Sequence, residues 1–192
     1  MTRDELLDLF RRCGGLLDGH FRLTSGLHSS GYLQCALVLQ HPAHAEVLGR
    51  AIADRTRDLR PSLVLSPALG GIVIGHEVAR ALGVRALFAE RQDGGLALRR
   101  GFVIGETDRV LVVEDVLTTG GSTRETMQMA KAAGGQVVGA ASIVNRSGAV
   151  PQLDVPYVSL LDVALPTYEP ETCPLCARSV PVVKPGSRQV AV

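Results

Sequence analysis

The run Val110-Leu111-Val112-Val113-Glu114-Asp115-Val116-Leu117-Thr118-Thr119-Gly120-Gly121-Ser122-Thr123 constrains the fold more than any other stretch of this chain. Four consecutive aliphatic residues, Val110 to Val113, describe a strand buried on both faces, as in a parallel sheet. Such strands present ligand groups at their carboxyl ends. Here that end carries two acids and then a turn rich in hydroxyls and glycine. Thr118 to Ser122 can aim several backbone N–H groups and hydroxyls at one anion, and a helix starting there adds its positive end. Glu114 and Asp115 would repel that anion. They suit sugar hydroxyls, because an ionised carboxylate is a strong hydrogen-bond acceptor. A ligand that sets a diol and a phosphate one ribose apart is a ribose 5-phosphate.

The rest of the chain alternates strands with helices. Thr2-x-x-Glu5 is a capping box ahead of a first helix with Leu6, Leu7, Leu9 and Phe10 on its apolar face, ending near Cys13-Gly14-Gly15. Two short extended pieces around a polar turn follow, over residues 20–34. Pro42 opens a helix that runs to about Leu59. Leu63 to Ser66 is a strand, Gly70-Gly71 leads into a helix from Ile72 to Leu82, and Arg85 to Ala89 is the next strand. Residues 91–101, with Asp93-Gly94-Gly95, predict a hairpin or a mobile loop. A helix from about Ser122 to Ala133 is closed by Gly134-Gly135. Val137 to Val144 and Tyr157 to Leu161 are the remaining strands. The alternation predicts an α/β fold with a mainly parallel sheet. The segment before Pro42 stands outside it and is expected to form a small hood over the strand ends, about residues 1–41. One domain over 1–165 is expected, with an irregular tail over 166–192.

Composition sets the outer bounds. A hydrophobic content of 46% supports a full core, and with aromatics at 4% that core is mostly Val, Leu, Ile and Ala. A net charge of +1 with mixed signs argues against broad binding to nucleic acid or an anionic membrane. No apolar run reaches the length of a membrane span. The charged start, Met1-Thr-Arg-Asp-Glu5, leads us to expect no secretory signal and reduced thiols in a cytoplasmic setting. Cys173-Pro-Leu-Cys176 has metal-ligand spacing, but a second nearby pair is lacking. A zinc site there needs Cys13, Cys35, a histidine or a second subunit to complete it; structural thiols or a tight turn are the alternatives.

The residues 110–122 resemble the phosphoribosyl diphosphate (PRPP) loop of the type I phosphoribosyltransferases: aliphatic strand, two acids, two aliphatics, two hydroxyl residues, glycine. They fit neither a Walker A loop, which needs Gly-Lys-Ser/Thr, nor the glycine offsets of a dinucleotide fingerprint. Leu23-Thr-Ser-Gly26-Leu-His-Ser-Ser-Gly-Tyr32-Leu-Gln34 is similar to the N-terminal signature of the orotate phosphoribosyltransferases. Ser66-Pro-Ala68-Leu69-Gly70-Gly71-Ile72 resembles that family's diphosphate loop, where small residues ahead of a helix let N–H groups approach the ligand. Asn145-Arg146-Ser147-Gly148 ends a strand. The resemblance covers roughly 1–165 and implies a type I phosphoribosyltransferase-like fold.

The resemblance also implies transfer of ribose 5-phosphate from PRPP to orotate, giving orotidine 5′-monophosphate and diphosphate in pyrimidine biosynthesis. PRPP would be held by Glu114, Asp115, Val116, Leu117, Thr118, Thr119, Gly120, Gly121, Ser122, Ala68, Leu69, Gly70, Gly71 and Arg91. Orotate would be held by Thr118, Arg146, Tyr32, Ser25 and Gly26. Arg146 can grip the carboxylate with paired donors. Tyr32 or Leu33 can cover the ring, with core packing as an alternative for Tyr32. Glu114, Asp115 and Arg91 would carry catalysis. Mg²⁺ is the implied cofactor, held mainly by PRPP and water near Asp115 rather than by direct protein ligands. A homodimer sharing an active-site loop is implied as well.

Two departures stand out. Thr24 occupies a position where many relatives carry lysine, and the loop offers Arg91, Arg99 and Arg100 in place of lysines and a histidine. Arginine binds diphosphate oxygens bidentately but does not donate a proton at neutral pH. Two other functions fit the PRPP loop: a purine phosphoribosyltransferase, and a PRPP-sensing regulator that binds nucleic acid, for which a basic face is required.

Overall fold

The computed structural model describes residues 1–23, 25–149 and 151–184. They form two compact units, Leu39–Val163 and a smaller one made of Thr2–Val38 with the segment from Ala164 onward.

The larger unit is built on a six-stranded sheet. Its strands are β3 (Leu63–Pro67), β4 (Arg85–Gln92), β5 (Gly95–Leu98), β6 (Arg109–Leu117), β7 (Gln136–Asn145) and β8 (Tyr157–Asp162), in the spatial order β5-β4-β3-β6-β7-β8. All pairings are parallel except β4 with β5 at one edge. Helices α3 (Pro42–Thr56), α4 (Gly71–Leu82) and α5 (Gly121–Ala132) cover it. The strands alternate between two apolar layers. Leu63, Leu65, Val110 and Val112 join Met127 and Ala130 of α5 in one buried cluster. Val64, Leu111 and Val113 are equally buried and, by the period of two, face the other way. This explains why β3 and β6 read as unbroken aliphatic runs.

The predicted helices and strands of this unit are all present. The hairpin expected at 91–101 forms between β4 and β5, with Gln92 paired to Gly95 across an Asp93–Gly94 turn. Both turn residues have positive φ, as a type I′ connection requires. One boundary differs. The aliphatic run suggested a strand ending at Val113, but β6 continues through both acids to Leu117, because β7 keeps pairing with it as far as Leu117↔Asn145.

In the smaller unit, α1 (Arg3–Arg12) begins with the expected capping box between Thr2 and Glu5. The extended pieces become an antiparallel hairpin of β1 (Leu16–Arg22) and β2 (His28–Leu33), followed by the short helix α2 (Cys35–Leu39) at the edge of the unit. Thr24 lies outside the described residues. The tail, expected to be irregular, contains β9 (Thr167–Tyr168) and a one-turn helix, α6 (Pro174–Ala177). β9 adds to the hairpin as a third strand, His28 facing Tyr168 and Ser29 facing Thr167. A two-residue strand and a four-residue helix leave almost no periodic signal, and the pairing partner lies far away in sequence.

Candidate active site

The order of strands reverses between β3 and β6. The chain leaves β3 toward β4 on one side, then returns to β6 and proceeds to β7 and β8 on the other. That is a topological switch point, where open α/β sheets bind ligands. The β3–β6 ladder runs from Leu63↔Val110 to Leu65↔Val112 and stops there. Beyond it β3 stays paired with β4 and β6 with β7, so the two strand ends diverge as at a switch-point crevice, with Gly71 at the start of α4 close to Ser66, Pro67 and the Val113 carbonyl.

Two loops line this crevice. After β3, residues 68–70 turn into α4. Ala68 is anchored by its N–H to the Ala89 carbonyl (2.7 Å), the Ala68–Leu69 peptide is cis, and the Leu69 side chain is almost wholly exposed. Gly70 explains the small residues: a Cβ there would lie 2.6 Å from an Asp115 carboxylate oxygen. After β6, residues 118–120 turn into α5 through Gly120, whose φ of 75° suits glycine. Neither α4 nor α5 has a side-chain N-cap bond. Both helices therefore present first-turn N–H groups at the crevice, and anions bind such groups.

The two acids have different surroundings, as adjacent residues of a strand should. The Glu114 carboxylate accepts a 2.5 Å hydrogen bond from the Thr123 hydroxyl in the first turn of α5. Burial pushes its pKa up to about 7, the Thr123 bond opposes that rise, and the neighbouring Asp115 charge adds to it. Asp115 sits against the start of α4, and burial raises its pKa too, opposed by backbone N–H donors of Val116 and of its own residue. Ser66 Oγ is buried against Gly75 of α4 without a hydrogen-bond partner among the described residues.

Arg146 follows β7 directly, and its backbone N–H donates to the Leu117 carbonyl (2.7 Å). That bond seats the proposed base-recognition residue next to Thr118. Asn145 braces the turn: its amide donates to Asp162 (2.8 Å) and the Ala149 carbonyl (3.0 Å), while its oxygen accepts from Ser147. Of the hairpin arginines, Arg91 is held by Glu125 of α5 (2.8 Å), which also accepts from the Leu96 N–H. Arg100 pairs with Glu90 (2.8 Å) and lies over the Phe88 ring. Arg99 forms no ion pair among the described residues. Ser25, Gly26 and Tyr32 belong to the smaller unit. Gly26 closes a turn with Leu23 (3.0 Å), and the Tyr32 ring packs against Phe21 at a centroid distance of 5.8 Å.

Two further residues shape the site, Thr123 at the end of the conspicuous run and Arg124 just beyond it. Thr123 fixes Glu114, and Arg124 donates from its guanidinium to the Thr119 carbonyl (2.6 Å), bringing a positive charge onto the anion loop. The available signal was their place in the first turn of the helix after that loop.

Residues 36–165 match the phosphoribosyl transferase domain family. The orotate phosphoribosyltransferase of Pelotomaculum thermopropionicum is 54% identical over 190 residues, covering 99% of this chain and 100% of the relative. Among solved structures, the orotate phosphoribosyltransferase of Mycobacterium tuberculosis in complex with inorganic phosphate is 29% identical with a TM-score of 0.69, covering 84% of this chain and 96% of that one. The enzyme from Aeropyrum pernix is 26% identical with a TM-score of 0.72, covering 82% and 93%. A switch-point crevice edged by paired acids and two uncapped helices, on a chain alike from end to end, leaves one assignment: this chain belongs to the phosphoribosyltransferase family and, within it, to the orotate phosphoribosyltransferases.

Proposed function

We propose that this chain transfers ribose 5-phosphate from PRPP to N1 of orotate, forming orotidine 5′-monophosphate and releasing diphosphate. The observation that carries the reading is the β3–β6 crevice, where the carboxylate of Asp115 meets Gly70 at the start of one helix and Glu114 meets Thr123 at the start of another. A ligand in such a crevice meets donors at both ends and acceptors in the middle, which is the polarity of PRPP.

In this mechanism the amides and hydroxyls of Thr118–Ser122, with Arg124, take the 5′-phosphate. Glu114 and Asp115 accept from the ribose hydroxyls. The amides of Ala68–Gly71 take the diphosphate. The N1 lone pair forms the new bond to C1′ as the bond from C1′ to the diphosphate oxygen breaks, and the proton on N1 passes to the released diphosphate. The sugar becomes oxocarbenium-like, and negative charge gathers on the leaving group. Arg91 stabilises that charge after exchanging its Glu125 partner for diphosphate oxygens. Holding the ribose at both ends supplies much of the rate through orientation. Mg²⁺, a hard cation that keeps several of its waters, would be held mainly by PRPP oxygens and water, with the Asp115 carboxylate near its water shell. When bound, Mg²⁺ neutralises charge on the diphosphate.

Arg146 and Thr118 recognise orotate, supported by the Arg146–Leu117 backbone bond that makes them neighbours. Ser25, Gly26 and Tyr32 are assigned to orotate by sequence resemblance alone. The working form is a cytoplasmic homodimer in which the β4–β5 hairpin is shared between active sites. No helix among the described residues is long and apolar enough to cross a membrane.

A base panel with PRPP and Mg²⁺ tests the assignment. Diphosphate release that depends on orotate supports it. Dependence on hypoxanthine or adenine, or no turnover together with tight nucleic-acid binding, rejects it. A fully active monomer by sizing rejects the shared hairpin.

A further inference from the structure

We propose that His20, His28, Cys173 and Cys176 form a closed, structural zinc site that fastens the C-terminal tail to the β1–β2 hairpin. All four ligand atoms lie within 4.8 Å of one another. His20 Nε2 is 2.8 Å from His28 Nδ1, 3.4 Å from the Cys173 sulfur and 3.7 Å from the Cys176 sulfur, and His28 Nδ1 is 3.3 Å from the Cys176 sulfur. Tetrahedral Zn²⁺ with its usual bond lengths separates two nitrogens by about 3.3 Å and a nitrogen from a sulfur by about 3.5 Å. The three nitrogen–sulfur separations thus already match those of the coordination shell, and the two nitrogens need only move apart slightly.

Hydrogen bonding alone accounts poorly for this arrangement. His20 Nδ1 lies 2.7 Å from the Val180 carbonyl, which only a ring nitrogen carrying hydrogen can bond, so in the metal-ligating tautomer the single lone pair is on Nε2. Three groups converge on that one lone pair. A cation at their centre satisfies all four ligands at once. The Val180 bond is also the outer-shell contact that ligating histidines make. His20, His28 and Cys173 are only 3%, 6% and 2% exposed, and neither histidine has a carboxylate partner among the described residues.

The backbone delivers the ligands. The two histidines come from neighbouring strands, β9 pairs His28 with Tyr168, and Val183 exchanges hydrogen bonds with His20 and Arg22. The intervening tail therefore arches over the hairpin and carries the Cys-x-x-Cys pair with it. This tail has little apolar anchorage: Leu175 is buried, but Val180, Val182 and Val183 are exposed. Small units with thin cores are commonly stapled by a metal. With four protein ligands, no position remains open for catalysis. The site is independent of the substrate assignment.

The test is metal analysis of the full chain, purified reduced and equilibrated with Zn²⁺, alongside single variants. Expected are about one tightly held zinc per chain, and thiolate-to-metal charge transfer when Co²⁺ replaces it. Cys176→Ser is the informative variant, because Cys176 is exposed and its replacement leaves the core filled. It should keep the circular dichroism of the parent yet weaken zinc binding by more than the roughly 10- to 100-fold typical of outer-shell changes. His20→Gln should do likewise, and Cys13→Ser should retain the metal. Failure of the reduced wild-type chain to retain zinc would overturn the proposal. So would a Cys173–Cys176 disulfide in the freshly isolated protein, or zinc that survives Cys176→Ser and His20→Gln but is lost in Cys13→Ser.

Discussion

The β3–β6 crevice and the histidine–cysteine cluster solve the same problem by opposite means. Each gathers polar groups where water is largely excluded. In the crevice, the groups sit at the ends of strands locked between two aliphatic layers, and each of the two loops is one short stretch of sequence. In the cluster, the four ligands come from two segments roughly 150 residues apart, on a hairpin and tail with few buried apolar side chains. The first arrangement is positioned by its core. The second positions the chain around it, given a metal. Loss of a polar group should therefore cost the crevice chemistry but little folding, and should cost the cluster local order but no direct step of the reaction.

The largest effect that tests this contrast is at Asp115. Asp115→Asn should lower turnover by roughly 10²-fold, the scale of losing one key electrostatic contact, while zinc content and the thermal midpoint stay close to those of the parent. Near-normal turnover in a substrate assay would remove Asp115 from the mechanism. Conversely, stripping zinc or introducing Cys176→Ser should raise amide exchange in β1, β2 and the tail while β6 and β7 keep their protection. Uniform loss of protection across both units would show that the cluster does more than local stapling.

A smaller and more selective effect is expected at the hairpin. Arg91→Ala should reduce kcat by about tenfold or more, as for a lost transition-state charge contact, with the KM for orotate little changed. Glu125→Gln removes the charge that holds Arg91 in the ligand-free chain and should lower the KM for PRPP. Unchanged steady-state constants in both variants would exclude Arg91 from the site.

The same contrast governs what the sequence disclosed. The fold of the larger unit was legible because buried parallel strands announce themselves as aliphatic runs, and because glycine pairs mark where each helix starts or stops. The acids and the anion loop were legible because they are contiguous. Ion pairs such as Arg91–Glu125 were not, since nothing in local spacing tells a loop arginine which distant carboxylate it will meet. The zinc cluster was half legible. Cys173 and Cys176 advertise metal spacing, but His20 and His28 sit in strands where a histidine looks like any other half-polar position. The pairing of β9 with β2 and the bonds of Val183 to His20 and Arg22 bring them together. The end of β6 was misjudged for a related reason: the acids interrupt the apolar pattern, yet the ladder with β7 continues because hydrogen bonding between strands does not depend on side-chain polarity.

The subtlest test separates the two acids by pH. Burial holds the Glu114 carboxyl near 7, far above its ordinary 4.5, so a sizeable fraction is protonated at neutral pH. Only the ionised form accepts freely from a ribose hydroxyl. The kcat/KM for PRPP should therefore fall as pH drops through about 7, and Glu114→Gln should lower the plateau and erase that limb. Stability should move the other way. A carboxyl whose pKa is raised on folding contributes stability below its unfolded value and loses it as pH climbs through the folded value. The ligand-free parent should thus lose thermal midpoint relative to Glu114→Gln between about pH 4.5 and pH 7, since glutamine cannot ionise. Asp115 is shifted in the same direction and remains in both proteins, so the difference between the two melting profiles reports Glu114 together with its coupling to the Asp115 charge. Parallel profiles would mean that the Thr123 bond holds Glu114 ionised despite its burial, and the pH limb of the rate should then be missing too.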